Sequence, residues 1–110
     1  MKNELEKKIA AENLRLLKLF SGCDETKLKL AKKEIETAAF LSIMLRELEH
    51  DIAVNGFEDT YQNGANQSGK KKSAAADLHV SYTKNFVTVM KQLYEILDYK
   101  QEEDDDLMNF

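Results

Sequence analysis

The side chains with chemical potential in this 110-residue chain are few and scattered. His50 and His79 fall on different predicted helices, and neither has a second histidine or a cysteine at the spacing of a metal site. Cys23, the only cysteine, lacks a basic neighbour that would favour its reactive thiolate. We therefore predict that the chain has no catalytic residue, no metal site and no cofactor.

The glycine- and lysine-rich stretch 64–71 invites comparison with a phosphate-binding loop, which cradles nucleotide phosphates between a strand and a helix. Lys71 stands where that motif needs serine or threonine, and the residue pattern predicts no strand before the stretch. The sequence therefore argues against nucleotide binding, against a small-molecule substrate and against an enzyme.

A lysine triplet, Lys70, Lys71 and Lys72, lies directly before the third predicted helix. The free N–H groups and the dipole at the start of a helix attract anions, and three added cations would make this corner attractive to phosphate. The alternative is a basic turn that is simply solvated. Both interpretations stay open, and the triplet is the first candidate DNA-binding site.

Further lysines form a second basic group in the first third of the chain. Most of them are interleaved with apolar positions and would suit an ordinary outer helix face. Repetition of the group around an oligomer would nevertheless multiply its affinity for a polyanion. The candidate DNA-binding residues here are Lys7, Lys8, Lys27, Lys29, Lys32 and Lys33.

Helix-forming residues dominate the elements that must position these groups, and proline is absent. Apolar residues recur every three or four positions in three stretches, 3–20, 24–55 and 73–99. Asp24 and Ser73 are the expected N-caps of the second and third stretches. We predict an all-α fold of three helices. The long central helix and the last helix would form an antiparallel, coiled-coil-like hairpin, joined by a polar loop over residues 56–73.

The central helix contains a run, 38–45, that has almost no polar face. A helix that is apolar all round must be covered all round, and two further helices in one small chain are too few for this. We therefore expect the chain to form a homo-oligomer through this run. The candidate interface residues are Ala38, Phe40, Leu41, Ile43, Met44 and Leu45.

Residues 99–110 combine five consecutive carboxylates with a short apolar end. We predict a single helical domain over residues 1–98, followed by a flexible acidic tail over 99–110. The tail either keeps the protein soluble or docks on a partner protein. The candidate docking residues are Asp104, Asp105, Asp106, Leu107 and Phe110.

Charge is divided into blocks, with net charges of +4, −6, +4 and −6 over residues 1–33, 34–59, 60–91 and 92–110. Such alternation suits different partners at different faces, not a uniformly basic nucleic-acid binder. No apolar run approaches the roughly 20 residues of a membrane helix, and the first residues do not resemble a signal peptide. We expect a soluble, intracellular protein with no membrane partner.

Several motifs between about residue 13 and residue 97 resemble the small subunits of tailed-phage terminases. The most specific is the loop from Tyr61 to Lys71 with Ser73, together with the helix that follows it. The motifs are Glu34, Ala38-Ala39-Phe40, Leu48-Glu49, Gly56, Tyr61-Gln62-Asn63-Gly64-Ala65-Asn66-Gln67-Ser68-Gly69-Lys70-Lys71, Ser73, Tyr82-Thr83-Lys84-Asn85-Phe86 and Met90-Lys91-Gln92-Leu93.

This resemblance implies a non-catalytic subunit that forms a ring-like oligomer and recognises the packaging site on double-stranded viral DNA. Such a subunit delivers the DNA to the terminase large subunit, which holds the ATPase and the nuclease, in the cytoplasm of the bacterial host. The residues themselves leave another function open. It is a helical protein–protein adaptor that never touches DNA and works through its acidic faces.

Overall fold

Four α-helices and two short strands make up the fold, in a computed structural model that describes residues 3–56, 58–62 and 68–98. The elements in chain order are α1 (Glu4–Leu19), α2 (Glu25–Leu30), α3 (Lys32–Asn55), β1 (Glu58–Gln62), β2 (Ser68–Lys72) and α4 (Ala74–Leu97). The predicted all-helical character is confirmed for the body of the molecule. Within the described ranges, no helix is both long and apolar enough to cross a membrane.

The predicted central helix is interrupted at Ala31, so the described chain has four helices and not three. Ala31 has φ −89° and ψ 2°, and its N–H donates to the carbonyl oxygens of Lys27 and Lys29. Its side chain is fully buried. The break allows the short helix α2 to contact α4 as well as α3. One long helix is therefore replaced by two that cover more of the core.

Two of the predicted helix caps are confirmed. The side chain of Asp24 accepts a hydrogen bond from the N–H of Lys27 at 3.0 Å, and that of Ser73 accepts one from the N–H of Ala76 at 3.0 Å. At the other end of α3, Gly56 has φ 84°, a conformation that residues with a Cβ rarely adopt. Side-chain caps therefore set where α2 and α4 begin, and the conformation of Gly56 sets where α3 ends.

Replacing Ser73 by alanine is expected to lower the free energy of unfolding by about 1 kcal/mol, because the N–H of Ala76 loses its acceptor at a buried site. Urea denaturation followed by circular dichroism measures the change. Ser81→Ala is the matched control, since Ser81 is exposed on the same helix. Equal effects for the two variants would contradict the capping role.

The core lies where α1, α3 and α4 meet. Its largest fully buried side chains are Phe20, Ile35 and Leu93, each of which contributes about 1.5–3 kcal/mol by its removal from water. Phe20 also meets the ring of Tyr94 edge-on, with the ring centroids 6.4 Å apart. Small side chains at the contacts let the helices approach closely. The fully buried alanines are Ala31, Ala38 and Ala39.

The segment predicted to be a loop contains the two strands, which pair antiparallel as a hairpin. Glu58 lies opposite Lys72, and Gln62 lies opposite Ser68. Neither strand has an alternating apolar pattern, so the sequence offers no periodic strand signal. Pairing satisfies the backbone N–H and C=O groups on the inner edge of each strand, in a polar segment that has no apolar face to bury.

Candidate nucleic-acid interface

The candidate DNA-binding lysines outside α1 lie near opposite ends of α3. The 24 residues of α3 span about 36 Å at 1.5 Å per residue. The first group is at the α2–α3 junction, and the second is on β2, beyond the last residue of α3. The structure does not join them into one surface. We call them the junction lysines (Lys27, Lys29, Lys32 and Lys33) and the hairpin lysines (Lys70, Lys71 and Lys72).

The junction lysines are largely available to a ligand. Lys29, Lys32 and Lys33 are exposed, and Lys27 is half-buried. The ion pairs found among the described residues involve none of these four side chains. Three exposed cations within five positions therefore form the clearest anion-attracting surface in the described part of the chain.

The two candidate lysines on α1 differ from the junction lysines because each has a carboxylate beside it. The Nζ atom of Lys8 lies 2.9 Å from Glu47 Oε1 and links α1 to α3. The Nζ atom of Lys7 lies 3.6 Å from Glu4 Oε1, one turn earlier on the same helix. Both lysines are exposed, yet their charges are partly offset within the chain. We therefore leave Lys7 and Lys8 out of the proposed interface.

The hairpin register places two of the hairpin lysines opposite acidic residues. Lys72 pairs with Glu58 and Lys71 with Asp59 along the ladder, whereas Lys70 pairs with Thr60. The register places these residues along the ladder, and their role in binding phosphate stays a prediction.

The structure changes two further expectations: that no strand precedes the glycine- and lysine-rich stretch, and that the start of the third predicted helix offers free N–H groups to an anion. A strand, β1, does precede the glycine- and lysine-rich stretch, contrary to the prediction. Gly69 and Lys70 lie within β2, however, and not at the start of a helix as in a phosphate-binding loop. The start of α4 is capped by Ser73, so its N–H groups are not all free for an anion. The geometry therefore still argues against nucleotide binding, for a different reason.

Three of the six candidate interface residues are buried inside the single chain. α1 and α4 both pack on α3, and together they cover more of the run 38–45 than the sequence argument allowed. The premise that one chain cannot cover this run is therefore wrong for these three positions. They are Ala38, Leu41 and Ile43, which are 0%, 5% and 8% exposed.

The other three candidate interface residues keep some exposed surface. Met44 and Leu45 are half-buried. Phe40 is 40% exposed, and its ring lies edge-on to that of Tyr82 on α4 with the centroids 6.3 Å apart. Of the six, Phe40 is the residue that a second subunit would cover most. Oligomerisation itself stays a prediction.

A buried polar cluster that the sequence analysis missed joins α1 to α3. Glu12 is only 7% exposed. Its carboxylate accepts two hydrogen bonds from Arg15, at 2.5 and 3.0 Å, and a third from the hydroxyl of Ser42 at 2.7 Å. The bonds from Arg15 hold the pKa of Glu12 below its usual value, although burial acts in the opposite direction. The same bonds raise the pKa of Arg15. The hydrogen bond from Ser42 on α3 to Glu12 on α1 therefore links these two helices.

The residues first considered for catalysis lie on different parts of the fold: His50 on α3, His79 on α4 and Cys23 between α1 and α2. The Nε2 atom of His79 is 3.0 Å from Glu49 Oε2, which links α4 to α3, and His50 is exposed. Cys23 is a half-buried free thiol. Across residues 3–56, 58–62 and 68–98, no three histidine, cysteine or acidic side chains come together to hold a metal ion.

The candidate docking residues Asp104, Asp105, Asp106, Leu107 and Phe110 lie outside the described residues. Comparisons with known proteins place no further constraint on the site. No protein-family model, no curated protein and no solved structure matches this chain.

Proposed function

We propose that this protein is a non-catalytic small subunit of a phage terminase, which binds double-stranded viral DNA and recruits or regulates the large ATPase and nuclease subunit. In this proposal the chain forms a homo-oligomer, with a ring as the arrangement that the family resemblance suggests. It acts in the cytoplasm of the bacterial host. α3 and α4 form its antiparallel hairpin, in keeping with the contacts of Glu49 with His79 and of Phe40 with Tyr82.

The spacing of the two basic groups is the observation that carries the proposal. α3, which is about 36 Å long, lies between the junction lysines and the hairpin lysines in the chain. One helical turn of B-DNA is about 34–36 Å long. In the proposal, basic groups near the two ends of this helix contact phosphates of one duplex about one turn apart. Contacts of this kind position a protein on DNA without reading its bases, so specificity would come from DNA shape and from repetition in an oligomer.

An adaptor that binds only other proteins is the second candidate function. It is favoured by large apolar side chains that remain exposed on α1, α2 and α3. Leu14, Leu30 and Val54 are 66%, 72% and 66% exposed. Scattered apolar residues are common on protein surfaces and do not by themselves mark an interface. The adaptor therefore ranks second.

Salt-dependent binding to duplex DNA tests the proposed function. A labelled duplex of about 30 base pairs spans roughly three helical turns, and fluorescence anisotropy measures its affinity between about 50 and 200 mM salt. Because each neutralised phosphate contributes about 0.9 to the slope of log K against log salt, Lys29→Gln, Lys32→Gln and Lys33→Gln together are expected to reduce the slope by about 3 per bound chain.

Matched variants make this test specific. Lys84→Gln removes one exposed charge from the middle of α4, near the level of Phe40 on α3, and should change the slope less. Substitution of the three hairpin lysines, which form the second basic group of the proposal, should also reduce the slope. The size of each sample by light scattering shows whether a variant has changed its oligomeric state. A sample that binds no DNA even at low salt would leave the adaptor as the better function.

A further inference from the structure

An open groove of about 430 Å³ lies at the end of the molecule where α1 ends, α2 begins and α4 ends. Its apolar lining comes from Leu19, Cys23 and Leu97. Leu19 is 54% exposed although it is a large apolar residue. The charged members of the lining are Asp24, Lys27 and Asp98. This groove plays no part in the proposed DNA contacts except through Lys27.

The chain leaves α4 at the edge of this groove. Asp98 ends α4 in the left-handed conformation, with φ 51° and ψ 38°, and is itself one of the lining residues. Twelve residues, 99–110, follow it in the sequence. An extended chain spans at most about 3.3–3.6 Å per residue, so this acidic segment can reach any point within roughly 40 Å of Asp98. The groove, which Asp98 itself lines, and Lys27 of α2 in the same lining are within this reach.

The composition of the acidic segment matches this end of the molecule in two ways. Its carboxylates, Glu102 to Asp106, complement the unpaired junction lysines that α2 and the start of α3 carry. Its apolar end, Leu107, Met108 and Phe110, can contact the apolar members of a mixed lining, of which Leu19 is the most exposed. Asp24 and Asp98 disfavour a carboxylate inside the groove itself. The acidic part therefore fits over α2, and the apolar part fits into the groove.

We propose that residues 102–110 dock on their own chain, with the apolar end in the groove beside Cys23 and the carboxylates over the junction lysines. Docking in cis has the advantage of a short connection, because only a few residues separate Asp98 from the first of these carboxylates. The docked segment would shield the clearest basic surface of the protein from polyanions.

The alkylation rate of Cys23 can report docking, because Cys23 is the only cysteine of the chain and lines the groove. Its rate of alkylation by iodoacetamide, an uncharged reagent, is measured by mass spectrometry for the full chain and for a variant that ends at Asp98. If the segment is docked about four-fifths of the time and shields the thiol while docked, alkylation of the shortened variant is expected to be about fivefold faster.

A second variant separates docking from a simple effect of charge. Negative charge alone disfavours the thiolate and would slow alkylation without any contact. Leu107→Ser, Met108→Ser and Phe110→Ser together keep every carboxylate and remove the apolar end. Docking predicts that this variant reacts nearly as fast as the shortened one. The control Leu14→Ser changes an exposed leucine on α1 and should leave the rate unchanged.

Three results would overturn the proposal. The first is equal alkylation rates for the full and the shortened chains. The second is an unchanged rate in the triple-serine variant, which would leave only a charge effect. The third is protection that disappears on dilution, which would mean that the segment binds a second copy of the chain.

Docking does not rest on the proposed function. If both hold, the shortened variant also binds DNA more tightly, because the junction lysines are released. Faster alkylation of the shortened variant without DNA binding would support docking and contradict the proposed function. DNA binding with equal alkylation rates in the full and shortened chains would support the proposed function and contradict docking.

Discussion

Replacing Phe20 by alanine is expected to lower the free energy of unfolding by about 3–5 kcal/mol. Phe20 is 1% exposed at the end of α1, and its ring lies edge-on to Tyr94 of α4. Removal of the ring loses its transfer from water and leaves a cavity at the point where the first and last helices meet. Urea denaturation at a fixed protein concentration measures the change, and the concentration must be matched because an oligomer would add its own stability.

The neighbouring residue provides the control for this prediction. Leu19 is 54% exposed, so Leu19→Ala should change the free energy of unfolding by no more than about 0.5 kcal/mol. A Phe20→Ala variant that loses less than about 1 kcal/mol would show that the ring is not enclosed as described.

Replacing Glu12 by alanine is expected to cost about 1–3 kcal/mol, because Ser42 loses its charged acceptor at a site between two helices. The cost is limited by Arg15, whose side chain is 60% exposed and can turn to water when the carboxylate is gone. Thermal and urea unfolding both measure the effect. A Glu12→Ala variant that is as stable as the wild type would mean that the hydrogen bonds of Glu12 do not hold α1 against α3.

The isosteric variant Glu12→Gln isolates the charge and predicts a pH dependence. The pKa of Glu12 in the folded chain lies below the ordinary value of 4.5, chiefly because of the hydrogen bonds from Arg15. A carboxylate with a lowered pKa stabilises the fold above its unfolded value, and this contribution is lost as the pH falls through the folded value. The wild type should therefore exceed Glu12→Gln in stability at neutral pH and lose this advantage in strongly acidic solution. Glu36→Gln, at an exposed position on α3, is the control and should change the stability at neutral pH by no more than about 0.5 kcal/mol.

The helices and their caps were predictable because they depend on local chemistry. Asp24 and Ser73 are side chains that bond the free N–H groups of a first turn, and both do so. The break at Ala31 was not predictable in this way. Alanine is the strongest helix former, and nothing in the residues 25–35 marks an end. The break accompanies the contacts of α2 with α3 and α4, which only the folded chain contains.

The lysines of the candidate DNA-binding site could be identified from the sequence, but their arrangement in the folded chain could not. The two lysine groups are visible in the sequence, whereas the cross-strand pairing of Lys71 and Lys72 with acidic residues depends on a hairpin that has no apolar alternation. Two features of the sequence are related to the hydrogen-bonded cluster around Glu12. Arg15 follows Glu12 by three positions, and Ser42 is the only polar residue in the run 38–45. Neither feature could show that the two would meet across 30 residues.

The β-hairpin also bears on the tendency of the chain to aggregate. A two-stranded sheet has two outer edges, and unpaired strand edges are templates for pairing with other copies. β2 carries three lysines in five residues, and β1 carries Glu58 and Asp59. Two β2 edges therefore repel each other, as do two β1 edges. The charges that make this segment poor in strand signals thus disfavour pairing of like edges between copies, and leave the oppositely charged β1 and β2 edges as the only complementary pair among the strands described.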